Sequence, residues 1–365
     1  IREKIMKKLL KCLLSVSLLL TLLVFTSCSD DNNGEGDFKN DHAAVKIEKK
    51  NKTALLLCSF GSTYKQPQAT YDKIIADYKA AYPNTDIYMS FTSRSIVSRV
   101  YNQIKIAYAQ PDLWLSAIAK AGYEDVYVQS LHIIPGEEYL SLMNTDIKKN
   151  FMIPNPKIVV AKSPCLLDTE EDIVAVAGVL YDYYKPRLDK GEVVALMGHG
   201  NPDTEYTHAN SRYDQLEVAL QKLSGKKNIF IGTVDWGQKM FSHIREEIKA
   251  FAKREGKEHK DVIVSLAPLM SIAGDHAQND LLGDLEDGQT MDKVNPDEKD
   301  FDAEYSWKLK LEKLGFTISS DGTVTDEKDF NVVGLADHKG IREIWLNHMK
   351  NAVENAESWS QHLPE

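Results

Sequence analysis

The chain has 365 residues, of which 43% are hydrophobic and 27% charged, and its net charge at pH 7 is −10. At roughly 100–200 residues per domain, this length predicts two domains or one large one. The composition is that of a globular protein and excludes collagen, a coiled coil and bulk disorder. The acidic charge argues against a broad nucleic-acid-binding face. Four cysteines are too few for a dense disulfide framework.

The N-terminus has the pattern of an export signal. Lys7, Lys8 and Lys11 precede an apolar run, 13–25, that is short for a bilayer span but typical of a signal peptide. Cys28 follows two small residues, and this order resembles a bacterial lipoprotein signal. We therefore predict a signal peptide over 1–27, a lipid on Cys28 as the only membrane attachment, and a location in the periplasm or cell envelope. A plain secretory signal or a membrane anchor is the alternative.

Residues 28–51 are polar and acidic, and they contain too few large apolar side chains to bury a core. This segment is predicted to be a lipidated tether, with the folded part starting near Lys52. Loss of residues 1–27 removes five basic residues and one acidic residue, which leaves a net charge of −14. Cys58 and Cys165 remain for the fold, and the sequence leaves open whether they form a disulfide.

Short apolar runs alternate with amphipathic stretches along the folded part. Strands that are apolar on both faces and separated by helices predict parallel βαβ units and an α/β fold. The predicted strands are Thr53–Ser59, Asp86–Phe91, Asp125–His132, Lys157–Ala161, Val193–Met197, Asn228–Thr233, Val262–Ala267 and Asn331–Leu335. The clearest predicted helices are Gln68–Tyr82, Glu170–Tyr184, Tyr213–Leu223 and Gln238–Arg254.

A weak internal repeat divides the folded part into two similar lobes, 52–188 and 189–365. In each lobe the first strand ends in a glycine-containing turn, and a strand some seventy residues later ends in a longer loop. Because ligands of open α/β sheets bind at the carboxyl ends of strands, these loops predict a cleft between the lobes.

Two histidines and a pair of glutamates at these strand ends are the candidates for chemistry. His199 lies between Gly198 and Gly200, which permit a sharp turn and a close approach by a ligand. His276 follows Asp275, a predicted helix N-cap. Each histidine could instead have a purely structural role. His199 could be a turn residue bonded to a nearby carbonyl, and His276 could be a residue of the first helical turn with a capping partner.

Glu137 and Glu138 start a helix after Pro135-Gly136, where the helix dipole alone would favour carboxylates. If the loops converge, two imidazoles and one carboxylate suit a divalent metal such as Zn, Co, Ni or Fe(II). His132 is predicted either to support this site or to belong to the core. Ser62, near a helix start, is a candidate for binding an anionic group.

Five motifs in order resemble the anaerobic sirohydrochlorin cobaltochelatases of the CbiK type, which are ATP-independent class II chelatases. These motifs are Phe60-Gly61-Ser62, Phe91-Thr92-Ser93, Leu131 to Tyr139, Met197 to Gly200 and Pro268 to His276. The resemblance implies two lobes, each with a four-stranded parallel sheet flanked by helices, around a tetrapyrrole cleft. It also implies insertion of Co(II), as substrate metal, into sirohydrochlorin or a related tetrapyrrole, with no organic cofactor.

By this resemblance the metal ligands and catalytic residues are His199, His276 and Glu138, with Glu137 as the fallback for Glu138. His199 is expected to be both ligand and proton acceptor. Ser93 and Arg94 are expected to contact macrocycle carboxylates. No nucleic-acid partner is expected, and the sequence is compatible with a homo-oligomer.

Two features depart from the family pattern. Residues 288–304 look like an exposed acidic insertion, and the export signal separates the chain from cytoplasmic corrin synthesis. The second departure motivates an alternative function, namely a non-catalytic lipoprotein that binds a tetrapyrrole, haem or a metal for uptake.

Overall fold

The computed structural model describes residues 45–202, 205–300, 304–320 and 332–362. The predicted signal peptide, Cys28 and the tether up to residue 44 lie outside the described residues. Residues 45–51, which were assigned to the tether, lie against the first lobe: Val45 is buried, and Asn51 donates a hydrogen bond to Asp86. Within the described part of the chain, no helix is long and apolar enough to cross a bilayer.

Two sheets with helices on their faces form the fold, which confirms the α/β prediction. The strands are β1 Thr53–Ser59, β2 Thr85–Phe91, β3 Asp125–Ser130, β4 Val159–Ser163, β5 Val193–Gly198, β6 Ile229–Thr233, β7 Ile263–Pro268, β8 Thr317–Ser320 and β9 Glu357–Ser358. The first sheet has the order β2-β1-β3-β4-β9 and the second the order β6-β5-β7-β8. The same arrangement of four parallel strands therefore occurs twice, which agrees with the internal repeat of the sequence.

The α-helices of the described residues are α1 Lys65–Ala81, α2 Arg94–Ile104, α3 Pro111–Lys120, α4 Glu137–Leu140, α5 Glu170–Asp189, α6 Thr207–Ser224, α7 Phe241–Arg254, α8 Trp307–Lys313 and α9 Lys339–Glu354. Two π-helical segments, Ser141–Met152 and Ala277–Leu281, follow strand-end loops. Helix α5 starts with a capping box between Thr169 and Asp172, which satisfies backbone N–H groups that the first turn leaves free.

A shared apolar core joins the lobes. Leu57 of β1 and Leu196 of β5 belong to the same buried cluster, together with Leu180 of α5, Leu216 of α6 and Trp345 of α9. Strands β1 and β5 are buried almost throughout, as expected for central parallel strands covered on both faces. The outer face of each sheet has a core of its own.

The C-terminal elements differ from the sequence-based assignment. Helix α9 packs on β3, β4 and α5, and β9 pairs antiparallel with β4. The end of the chain thus returns to the first lobe, although the predicted boundary placed all of 189–365 in the second. The first sheet gains a fifth strand in this way.

The eighth predicted strand, Asn331–Leu335, is wrong over its described residues, 332–335. The second sheet is instead completed by β8, which pairs with β7. The backbone N–H groups of Leu335 and Ala336 donate to the carbonyls of Met270 and Ser271. This apolar segment is therefore buried because it supports the loop after β7.

The insertion, described over 288–300 and at 304, is anchored rather than loose. Glu298 pairs with buried Lys310 at 2.8 Å, and Asp297 pairs with Arg245 at 2.8 Å. The Asp300 carboxylate accepts hydrogen bonds from the backbone N–H and the hydroxyl of Ser242, at the start of α7. The acidic residues of this segment therefore attach it to the outer helices of the second lobe.

Candidate active site

His199 follows β5 directly, and its backbone is held by the neighbouring strand. Its carbonyl accepts hydrogen bonds from the N–H groups of Val234, at 3.0 Å, and Asp235, at 2.8 Å. Its Nδ1 lies 2.9 Å from the Gly200 carbonyl oxygen. Because a carbonyl only accepts, Nδ1 carries the proton, and Nε2 retains its lone pair.

Different contacts explain why glycine is needed on each side of His199. A Cβ on Gly198 would lie 2.6 Å from the ring of Tyr213. Gly200 has a φ of +82°, and a Cβ there would lie 2.9 Å from that of Trp236. The sequence suggested that these glycines admit a ligand, but the close approach is made by the protein's own aromatic residues.

His276 follows the loop after β7, immediately before the π-helical segment Ala277–Leu281. The N-cap position of this segment is therefore His276 itself, and not Asp275 as predicted. The Nδ1 atom of His276 lies 2.5 Å from Oδ2 of Asp280, one turn further along. This acceptor leaves the Nε2 lone pair of His276 free as well.

The two histidine rings lie edge to face at the carboxyl edge of the second sheet. Their centroids are 4.9 Å apart, and their planes are inclined at 71°. His199 keeps an exposed surface although protein surrounds it. Desolvation and the neighbouring His276 lower the pKa of His199, against the opposing effect of the hydrogen bond to Gly200. His199 is therefore neutral at pH 7 and can accept a proton or donate its lone pair to a metal.

Glu138 lies in the first turn of α4, on the first lobe, and keeps an exposed surface although protein partly surrounds its carboxyl group. Desolvation raises the pKa of this carboxyl, and the charge of Glu137 adds to the effect. The nearby Thr92 hydroxyl, in the loop after β2, opposes the shift. Glu138 is thus a carboxylate with increased proton affinity at a strand-end loop.

Loops from the two lobes come into contact around these residues. A Cβ on Gly136 would lie 2.0 Å from Oδ1 of Asn201, and one on Gly274 would lie 3.2 Å from Oγ of Ser62. The Tyr64 hydroxyl donates a hydrogen bond to Asn279. The strand-end loops of the two sheets therefore meet along the region that contains the candidate residues.

The remaining predicted binding residues have different environments. Ser62 is buried, and its Oγ accepts a hydrogen bond from the Tyr64 N–H. Ser93 is the N-cap of α2, and Arg94 is exposed beside a pocket of about 360 Å³. His132 has its Nδ1 2.9 Å from the Ser130 hydroxyl, and burial lowers its pKa to about 4. Burial of Ser62 and His132 favours a supporting role for them, whereas Arg94 is accessible to a substrate.

The structure pairs the two histidines but does not complete the predicted three-residue metal site. In the part of the chain that the structure describes, no three histidine, cysteine or acidic side chains are grouped so that they could hold a metal ion. The role of Glu138 as a third ligand beside His199 and His276 therefore stays a prediction. Cys58 and Cys165 are both free and buried, so the disulfide that the sequence left open is not formed.

Sequence reasoning missed three residues that hold the histidines in place. Backbone N–H groups of His199 and Gly200 donate to the Tyr213 hydroxyl, and Asn210 bonds both the N–H and the carbonyl of Asn201. Asp280 bonds His276. Only Asp280 had a local signal, because an acid four residues after a histidine at a helix start faces it.

The chain is similar to known proteins over most of its length. The cobalt chelatase (CbiK) family model matches residues 53–354. The sirohydrochlorin cobaltochelatase of Salmonella typhimurium is 28% identical over 312 residues, which are 84% of this chain and 98% of that protein. Sirohydrochlorin cobaltochelatase CbiKC of Nitratidesulfovibrio vulgaris is 27% identical over 305 residues, 83% of this chain and 91% of that protein. The structure of SirB from Bacillus subtilis with Fe3+ has a TM-score of 0.49 at 13% identity and covers 83% of this chain and 96% of that one. Since the family model spans both sheets and both histidines, this chain belongs to the CbiK family of cobalt chelatases.

Proposed function

We propose that this chain inserts Co(II) into sirohydrochlorin or a closely related tetrapyrrole, without ATP. The observation that carries the proposal is the pair of neighbouring imidazoles, His199 and His276, each with its Nδ1 bonded to an acceptor. Both Nε2 atoms therefore have a lone pair for a divalent metal. Two imidazole ligands bind Co(II) without enclosing it, and a metal that must be surrendered to a macrocycle needs such a site.

Insertion exchanges one Co(II) for the two protons on the pyrrole nitrogens of the macrocycle. The enzyme therefore needs proton acceptors next to the metal. Once Co(II) has passed from its Nε2 to the macrocycle, His199 can accept one proton on that atom, because its depressed pKa keeps the imidazole neutral at pH 7. Glu138, in a strand-end loop of the first lobe, is a second candidate acceptor, because its raised pKa increases its affinity for a proton. Arg94 is the exposed cation that best suits a macrocycle carboxylate.

The proposed reaction is tested on the mature chain with Cys28→Ser. The protein is mixed anaerobically with Co(II) and sirohydrochlorin, and the visible spectrum is followed over time. We expect conversion to the cobalt complex, and a loss of at least about 100-fold in rate for His199→Ala and for His276→Ala. His259→Ala is the matched control, because His259 bonds the Leu314 carbonyl away from the cleft; it should keep the rate within about twofold.

A static spectral shift with no rate above the protein-free control would contradict the enzyme proposal for this macrocycle. That result would instead support stoichiometric binding, as in an uptake lipoprotein. Equal rates for His276→Ala and His259→Ala would also contradict the assignment of the metal site.

We further propose that the protein is anchored in the cell envelope through lipid on Cys28. The basic residues, the apolar run and the cysteine of the N-terminal segment support this location. The test is membrane fractionation of the full chain beside Cys28→Ser. We expect the first in the membrane fraction and the second in the periplasmic fraction, and recovery of both in the cytosol would contradict the proposal.

A further inference from the structure

The two histidines of the site have different acceptors at Nδ1. His199 is bonded to a neutral oxygen, the carbonyl of Gly200, at 2.9 Å. His276 is bonded to a carboxylate oxygen of Asp280 at 2.5 Å. A backbone carbonyl is fixed by its strand-end loop, whereas a carboxylate is supplied by one replaceable side chain. The orientation of His276 therefore depends on the identity of residue 280.

Asp280 is well placed to orient the His276 ring. It lies within the π-helical segment Ala277–Leu281, which starts right after His276, so the carboxylate and the imidazole are on neighbouring turns. About half of the Asp280 side chain is exposed, compared with 31% for His276. Because the Asp280 side chain is half exposed, its replacement should not disturb the buried core.

We propose that Asp280 is a positioning residue that holds His276 in the Nδ1–H tautomer and so presents Nε2 to Co(II). The proposal deepens the proposed function, since it rests on His276 being a ligand of the substrate metal. Residues that bond the second nitrogen of a ligating histidine fix its tautomer and its ring orientation, and their loss typically costs about 10–100-fold in metal affinity or activity.

The experiment compares four forms of the mature chain: wild type, Asp280→Ala, Asp280→Asn and Asp284→Ala. Asp284 is the matched control because it is also an exposed aspartate, four residues later, but it pairs with Lys308. The first readout is the equilibrium affinity for Co(II) alone, by calorimetric titration. The second is the tautomer of His276, from the ¹⁵N chemical shifts of its ring in the metal-free protein.

We expect Asp280→Ala to bind Co(II) about 10–100-fold more weakly than wild type and to lose the fixed Nδ1–H tautomer. Asp280→Asn retains an acceptor oxygen without the charge, so it should keep the tautomer and lose less affinity. Asp284→Ala should match wild type in both readouts. Retention of the Nδ1–H tautomer in Asp280→Ala, or equal Co(II) affinity of Asp280→Ala and Asp284→Ala, would overturn the proposal.

Neither readout uses sirohydrochlorin. If the wild-type chain fails to insert Co(II) but Asp280→Ala shows the expected losses, the proposed function fails while the role of Asp280 stands. The reverse result, normal insertion with unchanged tautomer and affinity in Asp280→Ala, refutes the role of Asp280 alone.

Discussion

Replacement of Gly200 by alanine tests why glycine follows the histidine. Its φ of +82° lies in the left-handed region, and a Cβ there would lie 2.9 Å from the Cβ of Trp236 and 3.0 Å from the backbone nitrogen of the same residue. Gly225, after α6, has a similar φ of +68°, but no atom lies within 4 Å of the position that a Cβ would occupy there. Comparison of Gly200→Ala with Gly225→Ala therefore separates the cost of backbone strain, which both share, from the cost of steric overlap.

The expected loss in the free energy of unfolding is the sum of these two contributions. A left-handed conformation costs a non-glycine residue about 1–2 kcal/mol, and this cost applies to both variants. Overlap with a backbone atom that cannot move freely adds about 1–3 kcal/mol for Gly200→Ala alone. We therefore expect Gly200→Ala to be destabilised by about 2–5 kcal/mol and Gly225→Ala by about 1–2 kcal/mol.

Urea unfolding followed by tryptophan fluorescence measures this difference, because it compares the midpoints of the two variants with wild type. The insertion rate gives an independent check, since the Gly200 carbonyl accepts the Nδ1–H bond of His199. A shift of the Gly200 backbone should slow insertion, whereas Gly225→Ala should leave the rate unchanged. Equal unfolding midpoints for the two variants would refute the reasoning from close packing.

Three further predictions concern buried charge and pH. Glu298→Ala should destabilise the protein by about 3 kcal/mol, because it leaves Lys310 buried without its partner; loss of exposed Lys185 from its own ion pair should cost at most about 1 kcal/mol in the same urea assay. Burial lowers the pKa of His132 to about 4 in the native state, whereas the unfolded chain has the usual histidine value of about 6.5. Between these two pH values the unfolded chain therefore binds more protons than the native protein. Stability should then fall as the pH falls, by up to about 1.4 kcal/mol per pH unit, and an unchanged slope in His132→Asn would contradict this. Because the pKa of His199 is lowered, the insertion rate should persist below about pH 6.5, the usual histidine value; a rate that halves there would argue against His199 as proton acceptor.

The strands around the site could be predicted from the sequence because they are buried on both faces. Such strands are continuous apolar runs, and β1, β5 and β6 were found within one or two residues. The strand β8 was missed because its sequence, Thr-Ile-Ser-Ser, is short and mostly polar, as edge strands often are. An apolar run shows that a segment is buried, but it does not show whether the segment pairs with a sheet, as residues 332–335 demonstrate.

The site itself could be predicted only in part. The strand-end positions of His199 and His276 indicated that they belong to one region, and the structure brings their rings to 4.9 Å. The grouping of Glu138 with them was inferred from resemblance, and the described residues do not assemble that cluster. Tyr213 lies in the next helix, α6, and no sequence pattern links it to His199, so its contact with the backbone at His199 required three-dimensional structure.

The return of the chain end to the first sheet affects how the protein is made. Strand β9 pairs with β4, and Lys162 pairs with Glu357 across 195 positions of sequence. A ribosome therefore releases nearly the whole chain before the first lobe can acquire its edge strand and the covering helix α9. Domains generally fold from the N-terminus during synthesis, but here the first lobe remains incomplete until the second has emerged. A truncation just before α9 would consequently damage the lobe that was synthesised first, and a nascent chain stalled there should be sensitive to protease in its N-terminal half.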